Sequence, residues 1–204
     1  MYKLLKKCLN SPFLWPAIAL VIAINLWLGI KAGGDNLLEI PPAARWGIVS
    51  LEMAGTVDKA KAILQVWARK SPEGIPLRTI ALHSLIYDCV FLVLYTATLA
   101  MACLISATLI DTRHPKLARM GLAKLGRGLA HLQGVVAALD TVENIALWRI
   151  LRSSGLYVWP ALAKACAVPK FALIAITFTY ILVVFVVRLG EIKQRIRQNT
   201  VAAT

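Results

Sequence analysis

The sequence predicts an all-α fold: a four-transmembrane-helix bundle with an amphipathic helix in its first outer loop. Residues 1–204 are expected to form a single integral membrane domain. Three observations carry this expectation. Hydrophobic residues make up 59% of the chain and charged residues 16%, far from the balance of soluble domains. Four stretches, 12–30, 80–110, 128–150 and 165–187, approach or exceed the run of about 20 apolar residues that spans hydrocarbon. Polar side chains within these stretches recur at helical spacing, so they fall on stripes. No internal repeat is present.

The first stretch, 12–30, follows Lys3, Lys6 and Lys7. A basic start before an apolar run also describes a secretory signal. This run exceeds the usual signal core of about 7–15 residues, so a retained helix is expected. The long segment from 31 to 78 is nearly balanced in charge, and Pro41-Pro42 breaks any helix there. Within it, 56–70 reads TVDKAKAILQVWARK. Val57, Ala60, Ile63, Leu64 and Trp67 keep helical spacing, while Asp58, Lys59, Lys61, Gln65 and Arg69 take the other side. Thr56 is the expected N-cap, with Asp58 in the first turn. This amphipathic helix should lie on the membrane surface or on the bundle. It covers helix ends, or acts as a lid over an outer pocket.

The stretch 80–110 is strongly apolar. The stretch 128–150 is the least apolar of the four and a strict hydropathy cut-off would miss it. It is kept because Gln133, Asp140 and Asn144 fall within about 40° of one another at 100° per residue, and Glu143 about 60° from Asp140. Gly134 and Ala137 beside this arc should let another helix approach closely. The stretch 165–187 completes the four.

Lysine and arginine set the orientation. The N-terminus, the linker with Arg113, Lys116, Arg119, Lys124 and Arg127, and the tail with Arg188, Lys193, Arg195 and Arg197 should share one side. That side should be cytoplasmic, with both termini on it. The net charge of +13 then faces anionic headgroups and needs no nucleic acid. Trp15, Trp27, Trp148 and Trp159 suit an interfacial belt. Cys8, Cys89, Cys103 and Cys166 show no paired spacing. Cys89 and Cys166 could reach an oxidising side, but buried free thiols are expected instead.

Ionisable groups at bilayer depth are costly and normally face a partner or a cavity. Asn25, Asp88, Tyr95, Asp140, Glu143, Asn144 and Lys170 could meet in one outer-half cluster. Lys170 should touch at least one of the three carboxylates, and one carboxyl should hold a proton. Such a cluster suits a polar network that fixes helix register, or a pocket for a ligand or proton. Neither a metal site nor a cofactor is expected, since no histidine has ligand spacing. Hydrolase, zincin, phosphate-loop and dinucleotide motifs are absent, so no catalytic residue is assigned.

LEMAGTVDKAKAILQVW, YDCVFLVLY, LDTVENIAL and VPKFALIAITFTYIL, taken in order, resemble a family of uncharacterised bacterial four-helix membrane proteins. The likeness runs from the outer segment to the fourth stretch. Its most distinctive block, Leu-Asp-x-x-Glu-Asn, ends Asp140 to Asn144. Family members carry shorter basic tails than this chain. The resemblance implies architecture and a bacterial inner membrane, and it implies no chemistry. The expected role is an accessory or assembly subunit of a larger membrane complex, with other membrane subunits or further copies as partners. A binder or transporter of a proton, ion or lipid-like molecule is the alternative. A membrane enzyme doing acid-base chemistry on a lipid or isoprenoid, with Asp140 or Glu143 as acid or base, is another.

Overall fold

A computed structural model describes residues 23–24, 26–27, 44, 46–69, 74–152 and 157–202. Its regular elements among these residues are α-helices: α1 (Ile48–Glu52), α2 (Val57–Trp67), α3 (Leu77–Arg113), α4 (Pro115–Arg119), α5 (Leu122–Leu151) and α6 (Trp159–Ala202). The all-α expectation holds. The first apolar stretch lies outside the described residues apart from Ala23, Ile24, Leu26 and Trp27, which are helical.

The long helices outrun the apolar stretches that announced them. Hydropathy marks the thickness of hydrocarbon, whereas the backbone ladder continues wherever side chains tolerate it. Lys, Arg and Leu are good helix formers, so α5 begins at Leu122 and α6 runs on through the basic tail. Pro169 sits inside α6 and offers no N–H to the carbonyl four residues earlier. Among the described residues, two helices are long and apolar enough to cross a membrane: Leu77–Arg113, with an 18-residue window of mean hydropathy 2.2, and Trp159–Arg188, with one of 2.4. The 30-residue α5 matches them in length but not in apolarity, because Gln133, Asp140, Glu143 and Asn144 interrupt it.

The chain divides into two compact units, residues 1–95 with 140–167 and residues 96–139 with 168–204.

In the first unit, Thr56 caps α2 from an extended backbone, and its hydroxyl accepts the Lys59 N–H at 3.4 Å. The apolar face of α2 buries Ala60, Ile63 and Trp67. They join a core with Leu51, Leu77, Leu85, Leu147 and Ile150. The amphipathic helix therefore packs on protein and is part of the fold. Gly55, just before it, has φ +69, and a Cβ there would meet Lys164 Cδ at 2.6 Å. Within this unit α3 and α5 run antiparallel. The Arg78 Nε–H donates to the carbonyl of Leu151, one of the orphan acceptors at the end of α5. Trp27 meets Tyr87 edge-on, with ring centroids 6.2 Å apart.

In the second unit, Cys103, Ile110, Ala123, Leu129, Tyr180 and Val184 form the core. Arg127 directs two N–H groups at Asp111 Oδ2, at 2.8 and 2.7 Å. Both partners are largely solvated in isolation, so this pair adds little to stability. The Tyr180 ring lies against the bare backbone of Gly126. The expected close approach at Gly134 is absent among the described residues, where nothing lies within 4 Å of a Cβ built at Gly134. Gly126 fills that role two turns earlier.

Cys89, Cys103 and Cys166 are free thiols. Cys166 is buried as expected, and Cys103 is buried too, but Cys89 is exposed, against the expectation of a buried thiol. Its position on α3 turns it toward the groove described below.

Candidate polar site and groove

The polar site of the first unit is built on two helices. On α3, Asp88 and Tyr95 stand seven residues apart and so share a face. On α5, Asp140, Glu143 and Asn144 lie within a little over one turn. Antiparallel pairing brings these faces together in the crossed order that the numbering demands. Tyr95 Oη donates to Asp140 Oδ2 at 2.6 Å. Asn144 Nδ2 donates to Asp88 Oδ2 at 2.6 Å. Both are short, at the strong end for bonds onto carboxylate oxygens. Phe91 packs on the Tyr95 ring at a centroid distance of 4.9 Å, which limits where the phenol can swing. Asp140 is 2% exposed and Glu143 0%. Asn144 is buried as well, whereas Asp88 and Tyr95 are half-buried.

Four of the seven expected cluster residues thus meet in two hydrogen-bonded pairs, with Glu143 buried beside them. Asn25 lies outside the described residues. Lys170 belongs to the second unit, where it is buried and its Nζ lies 4.8 Å from the centroid of the Phe171 ring. That unit has a polar relay of its own. Gln133 Nε2 donates to Thr177 Oγ1 at 2.9 Å, and Thr177 Oγ1 donates to the Leu173 carbonyl at 2.8 Å. Among the described residues, no group of three or more His, Cys, Asp or Glu side chains is placed to hold a metal ion.

Beside the Asn144–Asp88 pair runs an open groove of about 620 Å³. One wall is α3, through Leu85, Cys89 and Leu92, at positions i, i+4 and i+7. The other is α5, through Asn144, Ile145, Trp148 and Arg149, with Arg152 just past its last residue. Arg152 Cζ lies 4.5 Å from the Trp148 ring centroid, and Arg149 Cζ lies 5.7 Å from that of Trp159. The sequence reading gave these arginines no role. A signal was there: Trp148, Arg149 and Arg152 continue the helical stripe of Asn144 and Ile145 to the end of α5.

The two carboxylate pairs can hold α3 and α5 in one register. They can also present Asn144 at a groove wall. No family model matches this chain, and no curated protein or solved structure is significantly similar to it.

Proposed function

We propose that this chain is a four-span protein of a bacterial inner membrane, with both termini cytoplasmic, that serves as an accessory or assembly subunit of a larger membrane complex. The supporting observation is that the buried Asp140, Asn144 and Gln133 each bond to a side chain on a facing helix. A reacting carboxylate needs open access to a substrate atom. Here Asp140 and Asp88 each accept a short bond from a side chain on the opposing helix. Gln133 and Thr177 are joined to each other. Groups engaged in this way favour scaffolding over turnover. The apolar flanks of α3 and α6, with exposed Val90, Val93, Phe178 and Phe185, suit lipid or neighbouring helices.

The test is gentle extraction from native membranes, followed by cross-linking and identification of what travels with the chain. Defined membrane polypeptides at constant ratio are expected. A chain that migrates alone, or only with copies of itself, overturns the subunit reading.

A second reading is favoured by one observation, the groove that opens beside Asn144. Its volume falls within the usual range of ligand sites, about 300–1,000 Å³. On this reading the protein binds a lipid-like molecule.

A further inference from the structure

We infer that the groove between α3 and α5 binds one anionic phospholipid, its phosphate held by Arg149 and Arg152 and an acyl chain laid along Leu85, Cys89, Leu92 and Ile145. This rests on the second reading above and adds the headgroup charge and the placement.

Leu85, Ile86, Cys89, Leu92 and Ile145 give the walls of the groove an apolar lining, interrupted by Thr141 and Asn144, and two guanidinium groups three residues apart, those of Arg149 and Arg152, line it as well. Arg149 and Arg152 thus share a face at the end of α5. Their position near a helix C-terminus already favours cations. That accounts for positive charge there, but leaves the hydrogen-bonding rims of two guanidinium groups to be satisfied. Among the described residues, neither is paired with a carboxylate. Each lies near the ring of a tryptophan, Arg149 by Trp159 and Arg152 by Trp148. An arginine lying over a ring face keeps its N–H groups in the guanidinium plane available for a phosphate. Arginine on phosphate can be bidentate, which gives orientation as well as attraction.

Tryptophan fixes the depth. Indoles collect at the headgroup level of a bilayer, and Trp148 and Trp159 mark that level at this end of α5. A phosphate there puts its acyl chain beside the rest of the groove. From Arg149 back to Thr141 is about 12 Å of helix, nearly half of the hydrocarbon thickness. A zwitterionic headgroup presents the same phosphate with a compensating amine close by. Two arginines with no acidic partner among the described residues select against that amine, so the net anionic lipid is the better fit.

The experiment uses the full chain in mild detergent, after an alkaline wash of the membranes has shown that it is integral. Native mass spectrometry then follows retention from an equimolar mixture of phosphatidylglycerol and phosphatidylcholine. The parent chain should retain one phosphatidylglycerol with roughly tenfold preference, as expected for two arginines at the headgroup level. The Arg149→Gln/Arg152→Gln pair should bring the preference to near one. Ile145→Trp, which fills the groove and leaves both arginines, should abolish retention. Equal retention of the two lipids by the parent overturns the headgroup inference while leaving the lipid-binding reading in place. Retention of neither lipid overturns both. A preference that survives the double arginine change, or retention that survives Ile145→Trp, also overturns the inference. The selectivity of the parent needs no variant to fold.

Discussion

The hydroxyl of Tyr95 donates to Oδ2 of Asp140 across 2.6 Å, joining the middle of α3 to the middle of α5. One turn along α5, Asn144 reaches Asp88 over the same distance. Two contacts of this kind, spaced along both helices, set register as well as proximity. A slip of one residue on either helix would turn the partners about 100° apart and break both bonds at once.

Removing either partner should therefore cost stability, and unequally. Tyr95→Phe takes a donor from a carboxyl that is 2% exposed, and should destabilise by about 1–2 kcal/mol. Asp140→Asn keeps an acceptor of the same shape and removes a charge that is costly to bury, so it should stay close to the parent. Asp140→Leu removes the acceptor altogether and should be the worst of the three. Thermal unfolding in detergent ranks them. An Asp140→Asn protein that fails to fold would show that the charge itself holds the unit together, against the scaffolding account.

Two glycines on α5 should respond to alanine with opposite signs. A methyl group at Gly126 runs into the hydroxyl and ring of Tyr180, a buried and rigid neighbour. Overpacking of this kind costs about 1–3 kcal/mol, against a helix-propensity gain of about 0.5–1 kcal/mol. Gly126→Ala should lower the melting temperature, and Tyr180→Phe in the same chain should restore part of it by removing the nearest atom. At Gly134, where the described residues leave open space, alanine should raise it. Equal effects at the two positions would contradict the packing.

The elements were legible where one physical signal dominated. Thr56, Asp58 and the spacing of Ala60, Ile63 and Trp67 announced α2, its cap and its buried face. The angular match of Asp140 and Asn144 placed them on one side of α5, where they now meet α3. The sequence could not say which residue on α3 each would choose. That depends on helix register, which arises from packing between segments more than 40 residues apart. The ends of α5 and α6 were also hidden, because apolarity stops at the hydrocarbon edge while helical hydrogen bonding continues. Gly134 misled because small residues permit close approach without requiring it. The groove escaped notice because it belongs to neither helix alone.

The burial of Trp67 separates an integral outer helix from a loosely attached one. Trp67 is wholly buried among Ile63, Leu77 and Leu151 in the core of the first unit. Trp67→Ala should cost about 3–5 kcal/mol by the cavity it leaves. Lys61→Ala, on the exposed face of the same helix, should stay within about 0.5 kcal/mol. Denaturant titration in detergent measures both. If Trp67→Ala were as mild as Lys61→Ala, α2 would be an appendage resting on the bilayer.

The four-span topology makes a prediction that hydropathy alone does not. Among the described residues, only α3 and part of α6 are long and apolar enough to be recognised as spans. With those two alone, the N-terminal basic residues and the Lys116–Arg119 turn of α4 have no fixed relation. With 12–30 and α5 crossing as well, the N-terminus, α4 and the tail share the cytoplasmic side, and α2 faces the opposite one. Twelve lysines and arginines in the three segments that this topology puts inside are the driving asymmetry, against a nearly balanced segment that it puts outside. Reporter fusions after Arg119 and after Gln198 should therefore read cytoplasmic, and a fusion after Gly74 should read external. The Gln198 fusion is the sharpest, because it depends on whether α5 crosses. If α5 stays on one face, the tail emerges opposite to α4 and the two fusions disagree. Agreement between them, with Gly74 on the other side, requires the polar helix to pass through the bilayer with Asp140 and Glu143 inside it. At that depth their hydrogen-bond partners on α3 become a condition of insertion.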